Sequence, residues 1–415
     1  MKTKSKSKEN LTRIMERHYM ENHIGKSEGK LVVWIAILVP TEILLGFDAV
    51  VCVPESHSAM SAARKVGVVQ CEKAESAGYS MDLCSYARID LGTVFDSGKD
   101  SPSKGLPMPD LLISNNDNCS LIVKWFDVLS REYDIPHFIM DIPFCYEPQQ
   151  EKDRRYILDQ FEGLISYLEE KTGQKHDMEK TKTAMRETAE ATKYWGEFVK
   201  LADSHPSGNT AFDTFAQMAP MICMSGDREL ADHYKILLEE TRQEMAAGHY
   251  PVPNEKYRLL WDSIAPWHQL NAMKSRLKEL DTNIVFSTYA SSMGRVETGL
   301  DVFPWDGKAD PLWYLARIQN RGWCCYGLEL RYHTLAEMIK RYDIHGLVFG
   351  SNRSCKPYSI MQMDLQRRLS KDFNIPATMI DVDHADVRKY SEETVFVRLE
   401  ALIENIVQDQ KKKRP

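Results

Sequence analysis

The chain lacks the compact signatures by which a nucleotide, a hydride carrier or a zinc ion is usually recognised. No G-x-G-x-x-G, H-E-x-x-H or G-x-S-x-G occurs, which argues against dinucleotide oxidoreductases, zinc peptidases and α/β-hydrolases. Gly25-Lys26-Ser27 mimics the end of a phosphate loop, but the glycine needed five residues upstream is Met20 and no strand precedes it, so no ATP hydrolysis is expected. There is no C-x-x-C pair among the nine cysteines, and an odd count without a secretory pattern supports neither a disulfide framework nor a zinc ribbon. Basic excess is missing as well: 53 Lys and Arg against 60 Asp and Glu leave a net charge of −7, with no overall pull on nucleic acid or anionic lipid. The longest apolar run, Leu31 to Val39, is about half of what a membrane-spanning helix needs. Together these absences predict a cytoplasmic protein with reduced thiols and neither membrane nor nucleic acid as partner.

What is present is ordinary globular composition, 43% hydrophobic and 27% charged over 415 residues, enough for two to three domains with substantial cores. A basic, Ser/Lys-rich tail (Lys2 to Lys8) is expected to fray and to lead into a helix from Leu11 to His23, giving an N-terminal segment 1–28. From Leu31, apolar runs alternate with helical periodicity: LVVWIAILV (31–39), AVVCV (49–53), DLLISNN (110–116) and HFIMDIP (137–143). The pattern predicts a parallel α/β lobe over 29–150. Glu, Lys, Met and Ala with apolar spacing of three and four then predict a helical region over 151–280. Strands return at TNIVFSTY (282–289), GLVFGSN (346–352) and ATMIDVD (377–383). These predict a second α/β lobe over 281–415, closed by a helix from Glu392 to Gln410 and a basic run, Lys411 to Arg414.

One unit occurs twice. Residues 110–143 and 345–383 each read as a strand ending in Ser-Asn, a cysteine shortly after, an amphipathic helix, an Ile-Pro and a second strand ending near Asp. From cysteine to proline the gaps are 136 − 119 = 17 and 376 − 355 = 21 residues, both suited to a βαβ crossover. The repeat places Cys119 and Cys355 at the carboxyl end of a parallel strand and the amino end of the next helix, the edge at which open α/β sheets bind ligands. Cys84, in GYSMDLCSYARIDLG (78–92), is also expected near a helix start. A thiolate there meets free backbone N–H groups and the helix dipole, which lowers its pKa and suits it to metal ligation or nucleophilic work. Spacing alone leaves buried packing open for all three, because no compact cysteine run marks a ferredoxin.

The segments VPESHSAM (53–60), CEKAESAGYSMDLCSYARIDLG (71–92), PMPDLLISNNDNCSLIVKWFDVLSREYDIP (107–136), EKYRLLWDSIAPW (255–267) and SNRSCKPYSIMQMDLQRR (351–368) resemble the 2-hydroxyacyl-CoA dehydratase and benzoyl-CoA reductase family. The larger subunits of the 2-hydroxyisocaproyl-CoA and phenyllactyl-CoA dehydratases are especially similar. The resemblance implies two flavodoxin-like parallel-sheet lobes joined by a helical region, with one [4Fe-4S] cluster per chain in the cleft between them. It implies Cys84, Cys119 and Cys355 as the ligands, with the fourth iron open to water or to the substrate's thioester oxygen, able to act as Lewis acid and electron donor. Glu55 matches the family's acidic residue near the cluster, where a carboxyl group moves protons to or from a leaving hydroxyl. The implied reaction removes water from a (R)-2-hydroxyacyl-CoA to give a 2-enoyl-CoA. One electron from a separate ATP-dependent iron–sulfur activator makes a ketyl radical anion that expels the C2 hydroxyl. The implied partners are a smaller homologous subunit, in a heterodimer or a multiple of it, the activator, and the acyl-CoA. Arg353, Lys356 and Arg88, near the ligands, are expected to balance cluster charge, to meet CoA phosphates, or to be solvated surface.

The sequence departs from the family at one point. Before the family's Pro-x-Glu the dehydratases carry a serine whose hydroxyl contacts the cluster's open ligand; that position here, in VVWIAILVPTE, is Ile37, whose side chain donates no hydrogen bond. A benzoyl-CoA reductase-like aromatic acyl-CoA reductase, with no hydroxyl to expel, is therefore the alternative. A noncatalytic, cluster-bearing electron-transfer subunit is the third reading.

Overall fold

The apolar runs become strands because a parallel strand covered by helices on both faces has no polar side to show. In the computed structural model, which describes residues 5–291, 304–319 and 323–413, β1 (Val32–Ile35), β2 (Val50–Cys52), β3 (Leu111–Asn115) and β4 (His137–Met140) form a parallel sheet in the order β2-β1-β3-β4. β1 and β3 are buried along their whole lengths. A second sheet holds β5 (Tyr257–Asp262), β6 (Thr282–Ser287), β7 (Gly346–Asn352) and β8 (Ala377–Val382), ordered β6-β5-β7-β8 and parallel throughout. The two orders are the same pattern used twice, each the start of the flavodoxin-type order. Each therefore has a switch point where the chain leaves its first two strands on one side and its third on the other.

β5 corrects the helical reading of 151–280, since it is the inner strand that joins β6 to β7. The second sheet thus begins before residue 281. Tyr-Arg-Leu-Leu-Trp-Asp contains no β-branched residue and does not alternate, so only its neighbours on either side make it a strand. Helices Glu151–Thr172, Met178–Lys200 and Glu229–Ala246 do occupy the rest of that region. The N-terminal helix is also longer than expected, Lys6–Ser27 with Ser5 as cap. Far from fraying at residue 5, the Lys6 and Ser7 amides and the Ser7 hydroxyl donate to the Glu240 carboxylate at 2.8, 3.0 and 2.5 Å. Lys2 and Lys4 of the basic tail, and Arg414 at the other end, lie outside the described residues.

The repeated unit is present in both sheets: β3, helix Ser120–Tyr133 and β4 in one, β7, helix Gln362–Phe373 and β8 in the other. A separate turn of helix, Lys356–Ser359, accounts for the four additional residues of the second copy. Among the described residues no helix is long and apolar enough to cross a membrane.

A cysteine-lined cavity as candidate active site

All three cysteines singled out by sequence are helix N-caps: Cys84 precedes Ser85–Phe95, Cys119 precedes Ser120–Tyr133 and Cys355 precedes Lys356–Ser359. They come together. A cavity of about 70 Å³ between the two sheets is lined by Cys84, Cys119, Cys355, Ile37 and Glu55. Its walls follow the repeat: Ile37, Glu55 and Cys119 come from segments leaving β1, β2 and β3, and Ile264, Tyr289 and Cys355 from segments leaving β5, β6 and β7. Two switch points thus face each other across one void.

The expected lowering of the thiol pKa values is not found. Burial pushes Cys84 up to about 12 and also raises Cys119 and Cys355, and the backbone N–H groups at each helix start oppose this without overcoming it. The helix terminus is a partial charge in a dry wall, and ionising these thiols takes a full positive charge in the cavity. The donor set agrees with such a group: three soft, half-buried sulfurs on three separate elements around one void. Among the described residues no three His, Cys, Asp or Glu side chains close on a single metal-ion position. A four-iron cubane asks for something wider, because each thiolate binds a different iron.

Cys84 is held from across the join. His384 gives its Nδ1–H to Asn352 Oδ1 at 2.8 Å, which leaves Nε2 as acceptor, 3.5 Å from the Cys84 sulfur. Burial lowers this imidazole to about 4, so it is neutral at pH 7. The Ser85 and Ser354 hydroxyls, each beside a cavity cysteine, both donate to Asp383, at 2.7 and 2.6 Å.

Glu55 sits in the first turn of helix Pro54–Ala63, half-buried. Burial raises its carboxyl to about 7, against hydrogen bonds from the Ile37 N–H at 2.5 Å and the Asn118 side-chain amide at 3.2 Å. Ile37 therefore does donate, through its backbone. The bond depends on a sharp bend: Leu38 has φ +76°, uncommon for a side chain with Cβ, while Asn115 Nδ2 holds the Ile37 carbonyl at 3.2 Å.

The basic residues are elsewhere occupied. Arg88 is fully buried between Glu75 (2.6 Å) and Asp386 (2.9 Å), Arg353 is exposed against Asp381 (2.7 Å), and Lys356 reaches the Arg353 carbonyl at 3.2 Å. Sequence reasoning missed Asn118, Tyr289, Tyr358 and Cys324, which also line the cavity. Asn118 and Tyr358 lie within the quoted segments beside Cys119 and Cys355. Cys324, one of two adjacent cysteines, lies four residues before helix Leu328–Arg341, whose cap is Gly327, so it does not read as a helix cap and nothing sets it apart from an ordinary buried thiol.

A sequence profile described as 2-hydroxyglutaryl-CoA dehydratase, D-component, matches residues 36–406. The chain belongs to this family. Within it, the chain is 33% identical over 385 residues to the (R)-phenyllactyl-CoA dehydratase alpha subunit of Clostridium sporogenes, spanning 92% of this chain and 91% of that one. To the (R)-2-hydroxyisocaproyl-CoA dehydratase alpha subunit of Clostridioides difficile it is 31% identical over 415 residues, spanning 99% and 98%. A benzoyl-CoA reductase subunit of Thauera aromatica is 28% identical over 401 residues, spanning 93% and 91%. The family's D-component match thus takes in every element that lines the cysteine cavity from Ile37 to Tyr358.

Proposed function

We propose that this chain is the cluster-bearing subunit of a (R)-2-hydroxyacyl-CoA dehydratase, with Cys84, Cys119 and Cys355 holding one [4Fe-4S] cluster and Glu55 serving as the proton-transfer group. The observation that carries the reading is the convergence of three helix-capping cysteines and a near-neutral carboxyl on one cavity. When bound, the cluster supplies one-electron chemistry and an iron able to act as Lewis acid. Glu55, poised near pH 7 and held by Ile37 and Asn118, gives or takes the proton of the departing hydroxyl. A second cavity of about 330 Å³ adjoins the first and shares Ile37, Glu55 and Tyr289 with it. Met15, Met60, Phe215, Met218 and Trp267 make its walls largely apolar, which suits a bulky hydrocarbon acyl group and keeps water from the reacting carbons.

The alpha-subunit relatives support a smaller homologous partner, and the incomplete phosphate loop supports a separate ATP-dependent activator. Anaerobically purified protein should carry about four irons per chain. Alanine at Cys84, Cys119 or Cys355 should remove most of them, whereas alanine at Cys52, Cys71, Cys145 or Cys223 should not. Full iron in any of the first three variants overturns that ligand.

Ile37 favours one second reading, an aromatic acyl-CoA reductase, because an apolar side chain at the cavity wall packs against a ring. Ile37→Ser, assayed with activator on both substrate classes, separates the two. A dehydratase should keep or gain turnover, a hydrogen bond to a charged centre being worth about 1.5–3 kcal/mol. A reductase should lose activity to an idle buried hydroxyl.

A further inference from the structure

Four cysteines line the small cavity, not three, and the fourth comes from a turn fixed on both sides. Trp323–Cys325 is a single 3-10 turn whose two cysteines diverge. The Cys325 thiol donates to Asp117 Oδ2 at 3.2 Å, away from the void, while Cys324 faces it. The backbone of the turn is tied to the Cys145 strand-like segment, Cys145 N–H to the Cys325 carbonyl at 2.9 Å and Gly327 N–H to the Cys145 carbonyl at 2.8 Å. Arg331 packs over the rings of Trp323 and Tyr358 at 5.4 and 5.8 Å, and its Nε donates to the Tyr326 carbonyl at 2.9 Å. Asp117 lies two residues before Cys119, so the bond to Cys325 clamps the Cys324 turn against the loop that presents Cys119.

We infer that Cys324 is a fourth, exchangeable thiolate ligand that closes the cluster in the absence of substrate. The inference rests on the cluster reading above. Three sulfurs sit on helix N-caps, whereas Cys324 faces the same cavity from a clamped turn, so that only its side chain moves in the exchange, and the apolar Ile37 offers no side-chain oxygen there. In the exchange the Cys324 thiol gives its proton to solvent and its sulfur binds the remaining iron with no change of oxidation state. The arriving thioester oxygen reverses this, and the released thiolate regains a proton. A closed cluster is guarded against losing its fourth iron to oxidants while the enzyme idles.

The test uses the complete enzyme with its partner subunit, loaded anaerobically with ⁵⁷Fe, as wild type and Cys324→Ala. The partner's iron enters both spectra equally and cancels in the difference. Iron per chain should be the same in both, since three ligands remain. By Mössbauer spectroscopy the substrate-free variant should show one distinct iron per chain more than substrate-free wild type. On stepwise oxidation the variant should give several-fold more of the three-iron EPR signal. Adding the acyl-CoA should bring out the distinct iron in wild type. A variant spectrum with no more distinct iron than that of substrate-free wild type, or equal three-iron signals in the two proteins, overturns the fourth ligand. An unchanged wild-type spectrum with acyl-CoA overturns the exchange. Wild type that holds no iron overturns the cluster reading itself, and that outcome is separate because it is read from the metal content alone.

Discussion

At the scale of single residues, Glu55 shows how burial set against two donors brings a carboxyl group close to neutrality, as the proposed proton transfer requires. Its pKa near 7 has a consequence for stability whose sign is fixed. Unfolded, a glutamate titrates near 4.3, so between about pH 4.3 and 7 the folded chain binds the extra proton. This group's contribution is therefore greatest at and below pH 4.3 and is lost as pH rises through 7, by about 1.4 kcal/mol per pH unit at the steepest. Glu55→Gln should flatten that part of the profile in iron-free protein and leave the variant at least as stable as wild type at pH 8. Denaturant unfolding from pH 5 to 8 measures it, and parallel slopes for the two proteins would show that the carboxyl is solvated after all. Asp90 is also raised to about 7, by burial and further by the Glu55 charge, so its own titration should move down in Glu55→Gln and only part of its slope cancels in the comparison.

At the scale of elements, helix Ser85–Phe95 positions Cys84, and it lies unusually close to helix Gly67–Ser76. A Cβ on Gly92 would fall on the Gln70 carbonyl oxygen, which is backbone and cannot swing aside. Gly92→Ala should cost about 1–3 kcal/mol and lower iron content together with melting temperature, because the Cys84 cap moves with its helix. A variant that melts early yet holds full iron would separate the helix packing from the cysteine. Legibility in the sequence follows the same elements. Seven strands announced themselves by apolar or β-branched runs, and the repeat placed Cys119 and Cys355 at strand ends. β5 was hidden because its strand character comes from both neighbours, not from Tyr257–Asp262 itself. The cavity's cysteines were legible where a helix pattern followed them. Cys324 was not, because it sits on a turn without periodicity and its direction depends on Cys145 and Arg331, neither of which the turn's own residues reveal.

At the scale of the whole molecule, the cavity exists only because two similar sheets meet, so what joins them also holds the cysteines proposed as ligands. The join carries a buried ionic cluster in which Arg88 and Asp386 are both fully covered, with Glu75 and Arg388 at its edge. Burial alone would raise the Asp386 carboxyl, but hydrogen bonds from Arg388 and Arg88 bring it down to about 2. Cys84 lies four residues before Arg88, and His384, beside the Cys84 sulfur, two before Asp386. Removing one partner from a buried pair leaves the other charge uncompensated, at a cost of about 3–5 kcal/mol, and here Glu75 keeps part of the contact. Asp386→Asn should therefore destabilise the fold by about 3 kcal/mol and release iron at a lower denaturant concentration than wild type. Because the Asp386 pKa is depressed, its contribution is complete above about pH 3.9 and disappears as pH falls towards 2. The penalty of the variant should hence shrink below pH 4 as the wild-type carboxyl takes up its proton. Iron release and tryptophan fluorescence followed together across that range measure both effects, and a penalty that stays constant with pH would assign it to lost packing instead of charge.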